Sequence, residues 1–179
     1  MKLNANASYS YGVIKKIGKT SAEIKIGRFC SIAGGVTAIM TGHPLDRVST
    51  YPFDQIFKTP GTQNTVKGYG DLIIEHDVYI GQNVTLFGGI TVHTGAVIGA
   101  GSIVRESVPA YAVVTGNPAE FRKYRVSSYE TQKKLLRSHW WDLPIEEILA
   151  MAPYLTSNNY EAVIRESEAA WRRVNNVES

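Results

Sequence analysis

The chain has 179 residues, with 19 Lys and Arg against 16 Asp and Glu, for a formal charge of +3. A content of 44% hydrophobic and 20% charged residues supports one domain with at most a small appendage, and excludes disorder as the main state. The single cysteine, Cys30, excludes an intramolecular disulfide framework and a structural zinc cluster, and suits a reducing compartment.

Residues 1–10 are polar and lack an apolar h-region, and no run of about 18 apolar residues occurs, so a cytoplasmic protein without a membrane span is expected. Charge is uneven. Residues 1–70 hold nine basic and three acidic side chains, residues 71–120 one and five, and residues 121–179 nine and eight. No stretch clusters Lys and Arg, or interleaves them with aromatics, as a nucleic-acid surface requires.

In chain order, a first weak rung is expected from Val13 or Ile14 through Ile24, with Thr20 standing where an aliphatic residue belongs. A clearer pattern follows in Ile26-Gly27-Arg28-Phe29-Cys30-Ser31 and Ile32-Ala33-Gly34-Gly35-Val36-Thr37, where Cys30 and Val36 take a small inward site. The pattern then lapses over residues 38–72, which are aromatic, polar and punctuated by Pro44, Pro52, Pro60, Gly61, Gly68 and Gly70. So long a segment inside a compact fold is characteristically functional, and it reads as an excursion.

The pattern resumes at Ile74 and repeats every sixth residue through Ile80, Leu86, Val92, Ile98 and Val104. A second lattice four residues on reads Val78, Val84, Ile90, Ala96, Ser102 and Val108. With Leu, Ile and Val at 41 of 179 positions, six hits in one register arise by chance with a probability on the order of 10⁻⁴. Neither helical nor simple strand periodicity fits a spacing of six. Three hexapeptides, each a short strand and a corner, close a coil of 18 residues, and successive coils stack their aliphatic positions as a single-stranded parallel β-helix. Gly81, Asn83, Gly88, Gly89, Gly95, Gly99 and Gly101 suit the corners.

After Pro109 the rungs give way to Ala112-Val113-Val114-Thr115-Gly116-Asn117-Pro118-Ala119, and the remainder is helical. Ser127 with Glu130 forms a capping box for a helix running toward Trp140 and Trp141. Residues 143–151 and 158–173 read as two more, the last capped by Asn158 with Glu161. The expected organisation is a β-helix over residues 1–119 and a C-terminal α-helical cap over residues 120–179. Trp140, Trp141, Tyr154 and Trp171 are expected to pack that cap.

The run Gly42-His43-Pro44-Leu45-Asp46-Arg47-Val48-Ser49-Thr50-Tyr51-Pro52-Phe53, the hexapeptides from Ile74 to Pro109, the Gly116-Asn117-Pro118-Ala119 terminus and the Trp140-Trp141 segment together resemble the left-handed β-helix acyltransferases. Within them the chain is most similar to the xenobiotic, or type B chloramphenicol, acetyltransferase group and its relatives that acetylate cell-surface sugars. The resemblance covers roughly residues 20–155. It implies a left-handed coil, a homotrimer with active sites between neighbouring copies, acetyl-CoA as cosubstrate without a metal, and a hydroxyl-bearing acceptor.

The resemblance makes His43 the catalytic residue. A hydroxyl is a weak nucleophile at neutral pH and needs a positioned base, a role imidazole fills near its own pKa. The same resemblance assigns the backbone of Gln82 to the oxyanion, and Gly81, Gln82, Gly99, Ala100, Gly101, Arg105, Arg122 and Lys123 to coenzyme A. Glu106 and Glu120 depart from the basic or neutral residues of some relatives. Asp46, Tyr51 and Phe53 are candidates for the acceptor; Asp46 equally suits a turn, and the two aromatics equally suit a contact with a neighbouring subunit.

His76 and His93 fall at outward positions, His139 in the cap, and Cys30 inside. Gly99-Ala100-Gly101 lacks the third glycine of a dinucleotide fingerprint. The function expected first is O-acetylation of a sugar in bacterial surface-polysaccharide synthesis. The alternatives are O-acetylation of chloramphenicol or a streptogramin, and a noncatalytic hexapeptide scaffold.

Overall fold

The computed structural model describes residues 9–63 and 66–177. The polar start over residues 1–8 lies outside the described residues. Two compact units divide after Arg122.

In chain order the first strands are β1 (Lys15–Ile17), β2 (Ile24–Ile26), β3 (Ser31–Ile32), β4 (Thr37–Ile39) and β5 (Thr41–Gly42). The short helix α1 (Phe53–Phe57) and β6 (Lys67–Gly68) follow. Then come β7 (Leu72–Ile74), β8 (Tyr79–Ile80), β9 (Thr85–Phe87), β10 (Thr91–Val92), β11 (Val97–Ile98), β12 (Ile103–Val104), β13 (Ala112–Thr115) and β14 (Glu120–Tyr124). Strands of two or three residues are what a hexapeptide leaves once its corner is made.

They form three sheets, ordered β1-β4-β9-β12, β10-β7-β2 and β14-β13-β11-β8-β3, in which the coil strands β1 to β4 and β7 to β13 pair in parallel. Ile73 pairs with Thr91, Tyr79 with Val97 and Thr85 with Ile103, each 18 residues apart, so one coil is three hexapeptides. Between β2 and β7, β3 and β8, and β4 and β9 the offset is 48, which inserts 30 residues into one coil. β4 reaches Ile39, and Met40 is fully buried, so the coil runs slightly past the expected start of the excursion. The inserted segment closes on itself through the antiparallel pair β5-β6.

The first coil is irregular, with Lys15 paired to Thr37 at an offset of 22. Its extra residues widen the corner at Thr20, where Lys16 Nζ donates to the carbonyls of Thr20 and Ala22 at 3.2 and 2.5 Å. Thr20 suits this corner because its Oγ1 accepts from Ala22 N–H at 3.2 Å, a bond an aliphatic side chain lacks.

Both lattices form the core. Ile74, Ile80, Leu86, Val92, Ile98 and Val104 are at most 2% exposed, and Val78, Val84, Ile90, Ala96, Ser102 and Val108 at most 6%. The stack removes most of its apolar side-chain area from water, the main favourable contribution to the fold. Ser102 fits a small inward site because its hydroxyl donates to Gly99 O at 2.6 Å and accepts from Gly116 N–H at 3.1 Å. At the corners Asn83, Gly95 and Gly101 take φ of 56°, 73° and 71°, the left-handed region that favours asparagine and glycine.

The second unit holds α2 (Tyr129–Ser138), a 3-10 turn at Trp140–Asp142, α3 (Ile145–Leu155) and α4 (Tyr160–Val177). Two caps sit one residue later than the sequence suggests. Ser128 Oγ accepts from Thr131 N–H at 3.2 Å, and Asn159 Oδ1 from Ala162 N–H at 3.1 Å. Trp140 and Trp141 are buried but lie in the 3-10 turn, because His139 ends α2 in the left-handed region at φ 43°. Trp171 Nε1–H donates to Ser138 O at 2.8 Å, joining α4 to the end of α2. Among the described residues no helix is long and apolar enough to cross a membrane.

Candidate active site

His43 follows β5 directly, at the base of the excursion. Its ring is exposed and makes no hydrogen bond among the described residues. The preceding Gly42 is dictated locally, since a β-carbon there would collide with the Tyr69 hydroxyl. Tyr69 packs on Phe87 with ring centroids 5.7 Å apart, and the Arg105 guanidinium stands 4.6 Å from the Phe87 centroid. The structure thus joins the strand leading to His43 to Arg105 through two aromatic rings.

Asp46 is exposed and makes no hydrogen bond to His43. Tyr51, Phe53 and Phe57 form an exposed cluster, with centroids 4.9 Å apart for Tyr51 and Phe53 and 6.1 Å for each of these with Phe57. It stands beside exposed Val48 and Ile56 in the sequence of the same segment.

Gly81 and Gly99 stack one coil apart, their N–H groups donating to Ile98 O and Val114 O at 2.8 and 2.9 Å. A β-carbon on Gly81 would lie 2.5 Å from Ala100 N, and one on Gly99 2.6 Å from Thr115 Cγ2. Coil stacking accounts for both glycines, Gly81 against the backbone of Ala100 and Gly99 against the Thr115 side chain. Gly101 differs again. It faces open space and donates its N–H to Gln82 O at 2.8 Å. The N–H groups of Gln82 and Ala100, one coil apart on this edge, donate to no acceptor among the described residues. Two unpaired backbone donors in series suit an extended, carbonyl-bearing ligand arm.

Arg122 is already engaged, donating from Nε to Thr115 Oγ1 at 2.7 Å and from Nη2 to Thr115 O at 3.2 Å. Glu120 stands 3.4 Å from its Nη1, so the acid that departs from relatives offsets part of the Arg122 charge. Lys123 opens the second unit and is exposed.

A largely polar groove of about 410 Å³ adjoins β5 and is lined by Lys19, Thr20, Ser21, Thr41, Gln55, Val66 and Gly68. A larger groove of about 570 Å³ lies between α2 and α4 and contains none of the sequence-predicted site residues. Among the described residues no group of three or more His, Cys, Asp or Glu is arranged to hold a metal ion.

One polar cluster escaped the sequence reading. Glu75 Oε1 lies 3.1 Å from His93 Nδ1, and Glu75 Oε2 accepts from Thr94 N–H at 2.8 Å and Thr94 Oγ1 at 3.1 Å. Burial pushes the Glu75 carboxyl up, but the Thr94 amide and His93 outweigh it and hold it below its ordinary value. The spacing of 18 between Glu75 and His93 was the available signal. His76 is half-buried and accepts from Arg28 N–H at 3.1 Å, so it helps bind one coil to the next rather than simply facing water.

No protein-family model matches the chain. Individual proteins do. It is 40% identical to a chloramphenicol acetyltransferase of Agrobacterium fabrum over 149 residues, covering 80% of this chain and 71% of that one. It is 44% identical to a probable macrolide acetyltransferase of Lysinibacillus sphaericus over 142 residues, covering 75% and 78%. A solved hexapeptide-repeat acetyltransferase from Vibrio cholerae superposes with a TM-score of 0.51 at 25% identity, covering 66% of this chain and 60% of that chain. An N-acyltransferase from Bacillus cereus, solved with dTDP and coenzyme A, shares the fold with a TM-score of 0.53 at 22% identity over 73% of this chain and 68% of that one. With an 18-residue coil, a buried hexapeptide lattice and a histidine loop inserted into it, the chain belongs to the hexapeptide-repeat acetyltransferases, in the group of the type B chloramphenicol, or xenobiotic, acetyltransferases.

Proposed function

We propose that the protein is an acetyl-CoA-dependent O-acetyltransferase whose acceptor is a drug-like small molecule bearing a hydroxyl. The observation that carries this reading is the 40 and 44% identity to chloramphenicol and macrolide acetyltransferases over three quarters or more of the chain. These relatives favour the antibiotic alternative over the surface-polysaccharide sugar that the sequence put first. A left-handed coil, a homotrimer and a helical cap complete the proposed assembly, in keeping with the family.

In the proposed reaction His43 removes the acceptor proton as its oxygen attacks the thioester carbonyl. The exposed imidazole has no protein partner competing for its nitrogens among the described residues. The Gln82 N–H stabilises the tetrahedral oxyanion, and the Ala100 N–H holds a carbonyl of the pantetheine arm. Collapse breaks the carbon–sulfur bond, and the imidazolium returns its proton to the departing thiolate. Tyr51 and Phe53 offer an apolar wall to the acceptor, and Asp46 lies on the same loop. Arg105, Arg122 and Lys123 supply positive charge for the phosphates, with Arg122 partly offset by Glu120.

The test is His43→Ala assayed by thiol release with chloramphenicol, a macrolide and a panel of sugars. Transfer is expected to fall by roughly 10² to 10⁴ fold with coenzyme A affinity retained. Unchanged turnover would refute the base. Transfer to sugars alone would restore the polysaccharide reading, and no thiol release with any acceptor would favour a scaffold.

A further inference from the structure

The polar groove beside β5 has no part in the proposed transfer step, yet it is built from the same segment. Thr41 lines it and lies two residues before His43, so their Cα atoms are at most about 7 Å apart. Gln55 lines it from α1, the helix that carries Phe53. On the opposite side, the corner at Lys19, Thr20 and Ser21 is held by Lys16 Nζ, which donates to Thr20 O and Ala22 O. A β-carbon on Gly18 would collide with Thr41 Oγ1, so this corner packs directly on the strand leading to His43.

The lining carries one ammonium, three hydroxyls, one carboxamide and the apolar Val66, and no carboxylate among the described residues. Neither the Lys19 ammonium nor the Gln55 amide has a hydrogen-bond or ion-pair partner among the described residues. A cation with unused donors, neighboured by neutral polar groups, favours an anionic oxygen group, because charge-assisted hydrogen bonds are the stronger kind.

We infer that this groove is an acceptor subsite that selects hydroxyl compounds carrying an anionic oxygen group, with Lys19 as the charge-reading residue and Gln55 and Thr41 as its hydrogen-bonding partners. The inference rests on the acetyl-transfer reading for the identity of the ligand as acceptor. In this arrangement the acceptor presents its hydroxyl to the imidazole while its anionic end occupies the groove beside the same loop.

The test compares chloramphenicol with its analogue in which a carboxylate replaces the nitro group. Equilibrium dialysis with coenzyme A present and initial rates at saturating acetyl-CoA are measured on the full chain and on Lys19→Met, Lys19→Arg and Gln55→Ala. The full chain is expected to bind the carboxylate analogue more tightly than chloramphenicol. Lys19→Met is expected to weaken the analogue about tenfold while moving chloramphenicol less than about twofold and leaving kcat unchanged. Lys19→Arg should restore most of the loss, and Gln55→Ala should give a smaller loss in the same direction. Failure of the analogue to bind, or a Lys19→Met change that affects both compounds equally or neither, would overturn the subsite. If the charge-dependent binding holds but no acetyl is transferred to either compound, the transfer reading fails and the groove stands as an anion site that serves no acceptor.

Discussion

A β-carbon on Gly81 would stand 2.5 Å from the amide nitrogen of Ala100, a residue of the following coil. The glycine is therefore fixed by backbone packing, and the same contact sets the position of the unpaired Ala100 N–H, which the proposed function gives to coenzyme A. Gly81→Ala must push two coils apart along this edge. The expected cost is about 1–3 kcal/mol in stability, with coenzyme A binding weakened as the Ala100 donor shifts. Urea unfolding and calorimetric titration with coenzyme A check both effects. An unchanged midpoint with unchanged affinity would show that the edge yields without moving its donors.

How much was legible beforehand follows from what each residue answers to. The lattice from Ile74 to Val104 answers to one demand, burial in a stacked coil, and a six-residue period can hardly express anything else. Gly81 and Gly99 were legible as corner glycines, but sequence does not reveal which atoms of the next coil fill the missing β-carbon's place. The caps at Ser128 and Asn159 each had a neighbouring residue of equal capping ability, and only backbone geometry decides between them. The stack from Tyr69 through Phe87 to Arg105 spans the excursion and two coils, so no local pattern announces it. The candidate base stood out in sequence because its motif is local. The groove beside it did not, since its walls come from four separated segments.

Glu75 ties two coils together, and its stabilising effect depends on pH. Burial raises its pKa, yet hydrogen bonds from Thr94 and the neighbouring His93 leave the folded value below the ordinary 4.5. A depressed folded pKa contributes stability above the unfolded value, and that contribution disappears as pH falls through the folded pKa. Glu75→Gln should therefore be less stable than the parent by about 1 kcal/mol from pH 7 down to about 5, discounted for partial exposure. The difference should shrink below pH 4.5 and vanish once the parent carboxyl is protonated. Melting temperatures across that range decide the matter. A constant gap extending to pH 3 would mean that the carboxylate charge is irrelevant and only the side-chain shape matters.

Cys30 supplies a test of the inward small site that is independent of catalysis. Its side chain is 0% exposed, and Sγ donates to Glu75 O at 2.9 Å. Burial pushes the thiol pKa up, with hydrogen bonds from Val78 and Ser10 opposing it only in part. The reactive species is the thiolate, so both access and ionisation disfavour modification of the folded protein. Labelling by a water-soluble disulfide reagent at pH 8 is expected to be at least about 100-fold slower in buffer than in denaturant, tracking transient opening of the coil. Cys30→Ala should retain acetyl transfer and lose about 1 kcal/mol from the small void it leaves. Rapid labelling of the folded protein would place the thiol outside the coil core. Loss of transfer in Cys30→Ala with stability intact would make it part of the chemistry, against the inward packing position it shares with Val36 and Val78.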